Sequence, residues 1–251
     1  MKLSEVFDQL KYGELSQISI GGAQPGVIDD TNYESILAHV NLAMLALYKR
    51  FPLKEGHVTV QLQAGKIAYP ITSNFAASNR RSRESFKYVL DTMEFPFLDD
   101  IFKIENVQTD QGLDMALNDQ QDEFSVYTPS VNLLQVPWDI AAKLDELPNE
   151  WKTSTVTVSY QAMPVPIVKG MGNFDPTRVE VELPYSHLEP LLLYVASRVN
   201  NPIGIINGNT NFTMGNNYAA KYEAACQALE TVNLRVDQGS QNHRLEKNGW
   251  V

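Results

Sequence analysis

Cysteine is almost missing from this sequence. Cys226 is the sole thiol in 251 residues, so no disulfide can close within the chain. A disulfide-stapled secreted scaffold is thereby excluded. Histidine is scarce as well. His39, His57, His187 and His243 share no H-x-x-x-H or H-x-x-E-H spacing, and with one cysteine to help they make no zinc signature. No run approaches the roughly 18 apolar residues of a membrane span. The opening MKLSEVFDQLKYGEL carries acids early and lacks the apolar core of a signal peptide. The expectation is a soluble protein made in a reducing cytoplasm, in which the sequon Asn211-Phe212-Thr213 is a chance match.

Positive charge is in deficit. Twenty Lys and Arg face thirty Asp and Glu, for a net charge of −10. A surface of that sign repels phosphate backbones, which disfavours a nucleic-acid grip. The one basic cluster, Arg80, Arg81, Arg83 and Lys87, reads as a solvated face or as a contact for an acidic partner.

Catalytic motifs are lacking too. Gly170-Met171-Gly172 with Asp175 lacks the third glycine and the following helix of a phosphate loop, and it precedes a strand pattern. Asp110, Asp114, Asp119 and Asp122 fail the calcium-loop pattern, because Met115 occupies the position that requires glycine. Asp99 and Asp100 are neighbours, so in an extended segment their carboxylates point apart. Cys226 lies on an alanine-rich helix with no evident base and reads as an inert buried thiol. His39 reads as a hydrogen-bonded core residue. No G-x-S-x-G occurs. The expectation is no catalytic, cofactor or metal residue. A triad assembled in space around His57 or His187 stays open.

What the sequence has is patterned hydrophobicity: 43% hydrophobic and 10% aromatic residues, enough for a chain of this size to bury a substantial core. Residues 3–18 form a short amphipathic stretch. Thr31-Asn32-Tyr33-Glu34 fits a capping box with Thr31 as N-cap. Behind it, Tyr33, Ile36, Leu37, Val40, Ala43, Met44 and Leu47 recur at helical spacing over 32–50. Leu42, Leu45 and Ala46 lie on the other side, so this helix is expected to be buried on several sides. From 57 the period changes to two. His57–Leu62 alternates as a strand, Lys66–Ile71 reads as its hairpin partner, and Ala64-Gly65 as the turn. Residues 74–92 read as a loop leading into a short helix. Further strands are expected at 101–107, 124–127, 132–136, 153–161 and 178–183, with a short helix at about 138–147. Leu188, Leu191, Leu192, Val195 and Val199 then mark a helix that stops at Asn200-Asn201-Pro202. Tyr218, Tyr222, Ala225, Leu229 and Val232 mark a last one over about 215–233.

Helices at both ends around short strands exclude a doubly wound parallel sheet. The expected fold is α+β. Helices from 1–52 and 185–235 form a bundle, an antiparallel β-rich domain (sandwich or barrel) is inserted over 53–184, and 236–251 is an extended arm.

Four stretches carry a resemblance: LKYGELSQISIGG with the 32–50 helix, FLDDIFKIENVQTDQG, SVYTPSVNLLQVP and VELPYSHLEPLLLYVASR. In this order they resemble the head-to-tail adaptors of tailed bacteriophages, the tail tubular protein A-like group. The resemblance implies a structural virion protein of the neck, assembled in the host cytoplasm, without cofactor and not an enzyme. It implies a homo-oligomeric ring, usually twelvefold, between the portal protein and a distal tail or nozzle protein. DNA would pass through the channel without specific binding, and no membrane is involved. Under that expectation Tyr33, Ile36, Val40, Leu47, Leu188, Leu191, Val195, Tyr218, Tyr222 and Leu229 are core or interface residues. Arg80, Arg81 and Arg83 contact an acidic neighbour, and Trp250 anchors the tail on the portal. The alternatives are a phage tail or receptor-binding β protein that recognises a surface glycan through exposed aromatics, and a small hydrolase.

Overall fold

The computed structural model describes residues 1–18, 24–122, 124–137, 154–170, 174–200 and 212–240. Its helices are α1 (Leu3–Tyr12), α2 (Tyr33–Arg50), α3 (Leu188–Asn200) and α4 (Phe212–Ser240). Its strands are β1 (Glu55–Gln61), β2 (Ala68–Pro70), β3 (Val89–Leu90), β4 (Ile101–Thr109), β5 (Asp114–Met115), β6 (Tyr127–Ser130), β7 (Leu133–Gln135) and β8 (Thr155–Ala162). The fold is mixed α+β and its sheets are antiparallel. The chain divides into two compact units, Tyr48–Val165 and a discontinuous one made of Met1–Leu47 with Pro166–Val251. Residues 166–184, expected with the β region, therefore belong with the helices.

In the discontinuous unit, α1 buries Leu3, Val6, Phe7 and Leu10. This is the i, i+3, i+4, i+7 stripe of an amphipathic helix, and each fully buried side chain contributes about 1.5–3 kcal/mol. The helix ends at Gly13, whose N–H reaches Gln9 O at 2.9 Å. The amphipathic pattern running on to Leu15 is thus a helix plus a turn. Both α1 and α4 pack on α3, whose Leu191 and Val195 are fully buried.

The start of α2 differs from the expected capping box. Thr31 lies two residues before the helix, and its N–H and hydroxyl both donate to Asp29 Oδ1, at 2.9 and 2.5 Å. Asn32, fully buried, donates to Val27 O at 2.6 Å and accepts from Asp29 N–H at 2.9 Å. Ile36, Val40 and Leu47 are fully buried while Leu42 is exposed, so α2 has one solvent-facing side. The expected strand at 178–183 is reduced to a single bridge between Lys2 and Glu180. Among the described residues it pairs with the chain at the start of α1, through Leu3 N–H to Val179 O and Val181 N–H to Met1 O. His39 also differs from expectation, since among the described residues its buried Nδ1 has no hydrogen-bond partner.

The β unit holds a five-stranded sheet, order β3-β1-β8-β4-β5, and a three-stranded sheet, order β2-β7-β6. Both are open, so the barrel alternative is excluded. They share one core, to which β1, β4 and β8 give Val60, Val107 and Val158, and β2 and β7 give Tyr69 and Leu134.

The hairpin expected between 57–62 and 66–71 does not form. The turn is present, with Gly65 at φ 79° and Lys66 N–H on Gln63 O. It carries the chain from one sheet to the other, because β2 pairs with β7. Tyr69 fixes this crossing, its hydroxyl accepting from Gln63 N–H at 2.8 Å and donating to Gln63 O at 3.1 Å.

The helix expected within 74–92 is absent as well. Tyr88 is fully buried, stacked on Phe75 at 4.7 Å and edge-on to Tyr69 at 5.3 Å. Lys66 Nζ lies 3.9 Å from the Tyr88 ring centre. Burying these rings holds the segment extended, and a helix of polar 80–87 offers nothing comparable. The short helix expected at 138–147 lies outside the described residues. The extended arm expected over 236–251 does not begin where expected, because α4 continues through 236–240 as helix; residues 241–251 lie outside the described residues.

Candidate interaction surface

The strand β3 is two residues long and leads directly into a loop clamped at both ends by carboxylates. At its start, Asp91 accepts from Ser78 N–H at 2.7 Å, Ser78 Oγ at 2.5 Å and Phe97 N–H at 2.9 Å. Burial pushes the Asp91 carboxyl up, but these donors outweigh it and hold the group below its ordinary range. At the loop's end, Asp99 accepts from Ser73 N–H at a left-handed φ of 57°. Asp100 Oδ1 accepts from the Tyr160 hydroxyl at 3.0 Å. Burial, reinforced by the Asp100 charge, raises the Tyr160 phenol. Inside the loop, Phe95 N–H donates to Thr92 Oγ1 at 3.1 Å.

This clamping sorts the apolar side chains of TMEFPFL into two groups. Phe97 turns inward, 9% exposed, edge-on to Tyr160 at 6.3 Å. Met93, Phe95 and Leu98 face solvent at 65%, 80% and 59%. The loop thus exposes three large apolar side chains while hydrogen bonds hold both of its ends. Beneath it lies a cleft of about 410 Å³ between the loop, β1 and Tyr160. Its floor depends on Gly56, the cross-strand neighbour of Tyr160. A Cβ at this position would lie 2.4 Å from Tyr160 Cζ, so only glycine lets the ring cross the strand.

The arginine cluster sits on the same edge of the sheet. Ala76 bridges Val89 of β3, and Ala77 N–H donates to Val89 O. The chain then turns at Asn79, and Arg80, Arg81 and Arg83 follow, all exposed. Ser82 Oγ on Asn74 O and Lys87 Nζ on Asn79 O hold the turn.

The histidines give two arrangements to weigh as chemistry, and in one of them His187 Nδ1 lies 3.0 Å from Oγ of its sequence neighbour Ser186. In the other, His57 Nδ1 and Ser159 Oγ, a cross-strand pair, are 3.0 Å apart. Ser159 lies on β8, which pairs with β1 on one side and β4 on the other. The strand's N–H groups are thus committed to its ladders, and none is aimed at a developing oxyanion. Among the described residues no carboxylate hydrogen-bonds His57.

The residues singled out from the sequence fall into three groups. Ile36, Val40, Leu47, Leu191 and Val195 are buried in the chain's own core. Tyr33, Leu188, Tyr218, Tyr222 and Leu229 are half-buried, Tyr33 against Phe7 at 5.3 Å and Tyr222 against Tyr194 at 5.2 Å. The three arginines are exposed, and Trp250 lies outside the described residues. Sequence reasoning missed the loop 92–98. Its signal was an apolar run around a proline with no helical or strand period.

Compared with known proteins, the chain matches no family model, and no curated protein matches it.

Proposed function

We propose that this chain is a structural virion protein, a ring-forming head-to-tail adaptor that joins a portal to a tail and extends the DNA channel. The observation that carries the reading is the exposure of α4. This helix has 29 residues and is about 44 Å long at 1.5 Å per residue. Over 217–231 only Cys226 is buried, while Ala219, Ala220, Ala224 and Ala228 face solvent. A helix draws most of its stability from packing, and α4 offers more surface than its own chain covers. Neighbouring copies supply that cover in a ring. The net charge fits as well, since each added copy brings ten more negative charges to a conduit that DNA must cross without sticking. Interfaces on the helical unit would face the portal and those on the β unit the distal tail protein, all within the virion neck.

The test is mass in solution, alone and mixed with the cognate portal ring. A discrete ring in either condition is the expected result. A strict monomer that never joins a ring overturns the reading. One observation favours a second reading, a tail or receptor-binding protein that recognises a glycan: Phe95 stands exposed beside a cleft lined by Tyr160, Asp91 and Asp100. Glycan-array binding that is lost in Phe95→Ala would support it.

A further inference from the structure

The two edges of the five-stranded sheet differ in charge: one carries clustered arginines with Glu84 and Glu94 nearby, the other carries acidic residues without a lysine or arginine. The β3 edge bears Arg80, Arg81 and Arg83, and among the described residues no ion pair engages any of the three guanidinium groups. The β5 edge bears Asp110, Asp114, Asp119 and Asp122, all exposed. No lysine or arginine occurs anywhere in 104–142. Four strand steps separate β3 from β5, about 19 Å at the usual spacing. The charges are therefore too far apart to neutralise each other within one copy at ordinary salt. Each edge also exposes apolar surface, Met93, Phe95 and Leu98 on the basic side and Leu113 on the acidic side.

We propose that these two edges are the two halves of one contact between successive copies of this chain, an inference that rests on the ring reading above. The basic β3 edge of one copy docks on the acidic β5 edge of the next, and the clamped loop 92–98 presses its apolar side chains beside Leu113. Symmetry decides the arrangement. A two-fold dimer through either edge would place arginines on arginines or aspartates on aspartates. Only a head-to-tail contact joins opposite charges, and a head-to-tail contact that closes makes a ring. Asp114 is set for this role. Asn106 Nδ2 and Gln108 Nε2 both donate to its Oδ1, at 2.7 and 2.8 Å, which keeps it ionised and fixed in direction.

The experiment is sedimentation velocity on the full chain, under the conditions in which the wild type forms its ring. One variant reverses the basic edge, R80E/R81E/R83E. Another reverses the acidic edge, D110K/D119K. D110N/D119N serves as the milder form that keeps the side-chain acceptors should the reversed variant fail to fold. Thermal melts of the monomers confirm folding. Each edge-reversed variant alone should weaken assembly by at least about tenfold, since like charges then face each other. Mixing the two reversed variants, or combining both reversals in one chain, should restore the ring. Wild-type rings that survive either reversal overturn the edge contact and leave the ring reading standing. Reversals that abolish rings without restoration in the mixture also overturn it, because the two edges then do not face each other. A wild type that forms no ring in any condition overturns the ring reading and the edge contact with it.

Discussion

Replacing Gly56 by alanine isolates the support of the exposed loop in a single methyl group. The backbone there has no left-handed φ, so alanine meets no conformational strain. It meets the Tyr160 ring, with Cζ, Cε2 and the hydroxyl oxygen at 2.4, 2.6 and 2.6 Å from the new Cβ. The ring must move, and Tyr160 is 5% exposed, packed against Phe97 and bonded to Asp100. Overpacking of this kind costs about 1–3 kcal/mol. Losing the phenol–carboxylate hydrogen bond adds about 1 kcal/mol. Replacing glycine within a strand returns about 0.5–1 kcal/mol through the unfolded chain. The net is about 1–3.5 kcal/mol, or a melting point lower by about 2–14 °C for a chain of this size. The assay is thermal denaturation of G56A beside G65A and G112A. These two glycines have positive φ and nothing within 4 Å of a new Cβ, so they should lose only about 1–2 kcal/mol each. The second arm is the double mutant G56A/Y160V. With the ring gone, the alanine should cost less than about 1 kcal/mol, leaving a coupling of at least about 1 kcal/mol. A G56A chain that melts within about 1 °C of wild type, or no coupling to Tyr160, refutes the packing argument.

Asp91→Ala should destabilise the β unit by about 2–4 kcal/mol in urea titrations, because it removes an acceptor of three hydrogen bonds. Hydrogen exchange at Phe97 N–H should accelerate in the same variant, and an unchanged rate would contradict the clamp. Lys66→Ala should cost about 1–2 kcal/mol, since it empties a site bounded by the Tyr88, Tyr69 and Phe75 rings; a melt identical to wild type would contradict that. Burial holds both His39 and His187 below their ordinary value of 6.5, with Arg198 reinforcing it at His39. The unfolded chain therefore binds more protons than the folded one, so stability is fully present above about pH 6.5 and falls as pH drops through that value toward the folded-state pKa. His39→Leu with His187→Leu should flatten this slope in melts taken from pH 7.5 to 5.0, and an unchanged slope would contradict it.

The parts of the fold that were legible in the sequence are those in which a period maps onto one buried face. The α1 stripe, the Leu191–Val195 face of α3 and the alternation of Val156, Val158 and Tyr160 on β8 all come from residues that read only their own element. Pairing across the sheets was not legible, because it depends on residues far apart in sequence. Lys66–Ile71 looks like a partner for β1 by proximity, yet Tyr69 and Ile71 bury into the second sheet and β2 finds β7. Residues 74–92 hide their structure in the same way. Phe75, Phe86 and Tyr88 have no common period, and what orders them is a cluster closed by Lys66 from another segment. The strands β3 and β5, two residues each, are too short to leave a pattern. The loop 92–98 is the sharpest case. Its exposed residues and its anchor Phe97 look alike in sequence, and only the carboxylate clamps separate them.

That separation bears on why the surface is built as it is. Three exposed apolar side chains on a mobile loop would be an aggregation hazard, because they could adapt to any apolar surface they met. Held by Asp91, Asp99 and Asp100, they keep one geometry, so a partner must match it. The loop leaves β3 at the same sheet edge that carries Arg80, Arg81 and Arg83, and these charges add a second requirement of sign. A copy approaching with its own basic edge is repelled, while one approaching with Asp110, Asp114, Asp119 and Asp122 is attracted. In the contact proposed above, the apolar anchor would set how tightly copies hold, and the flanking charges would set which edge they accept. If copies assemble as proposed, the two together would favour growth in one direction around a closed path over random association.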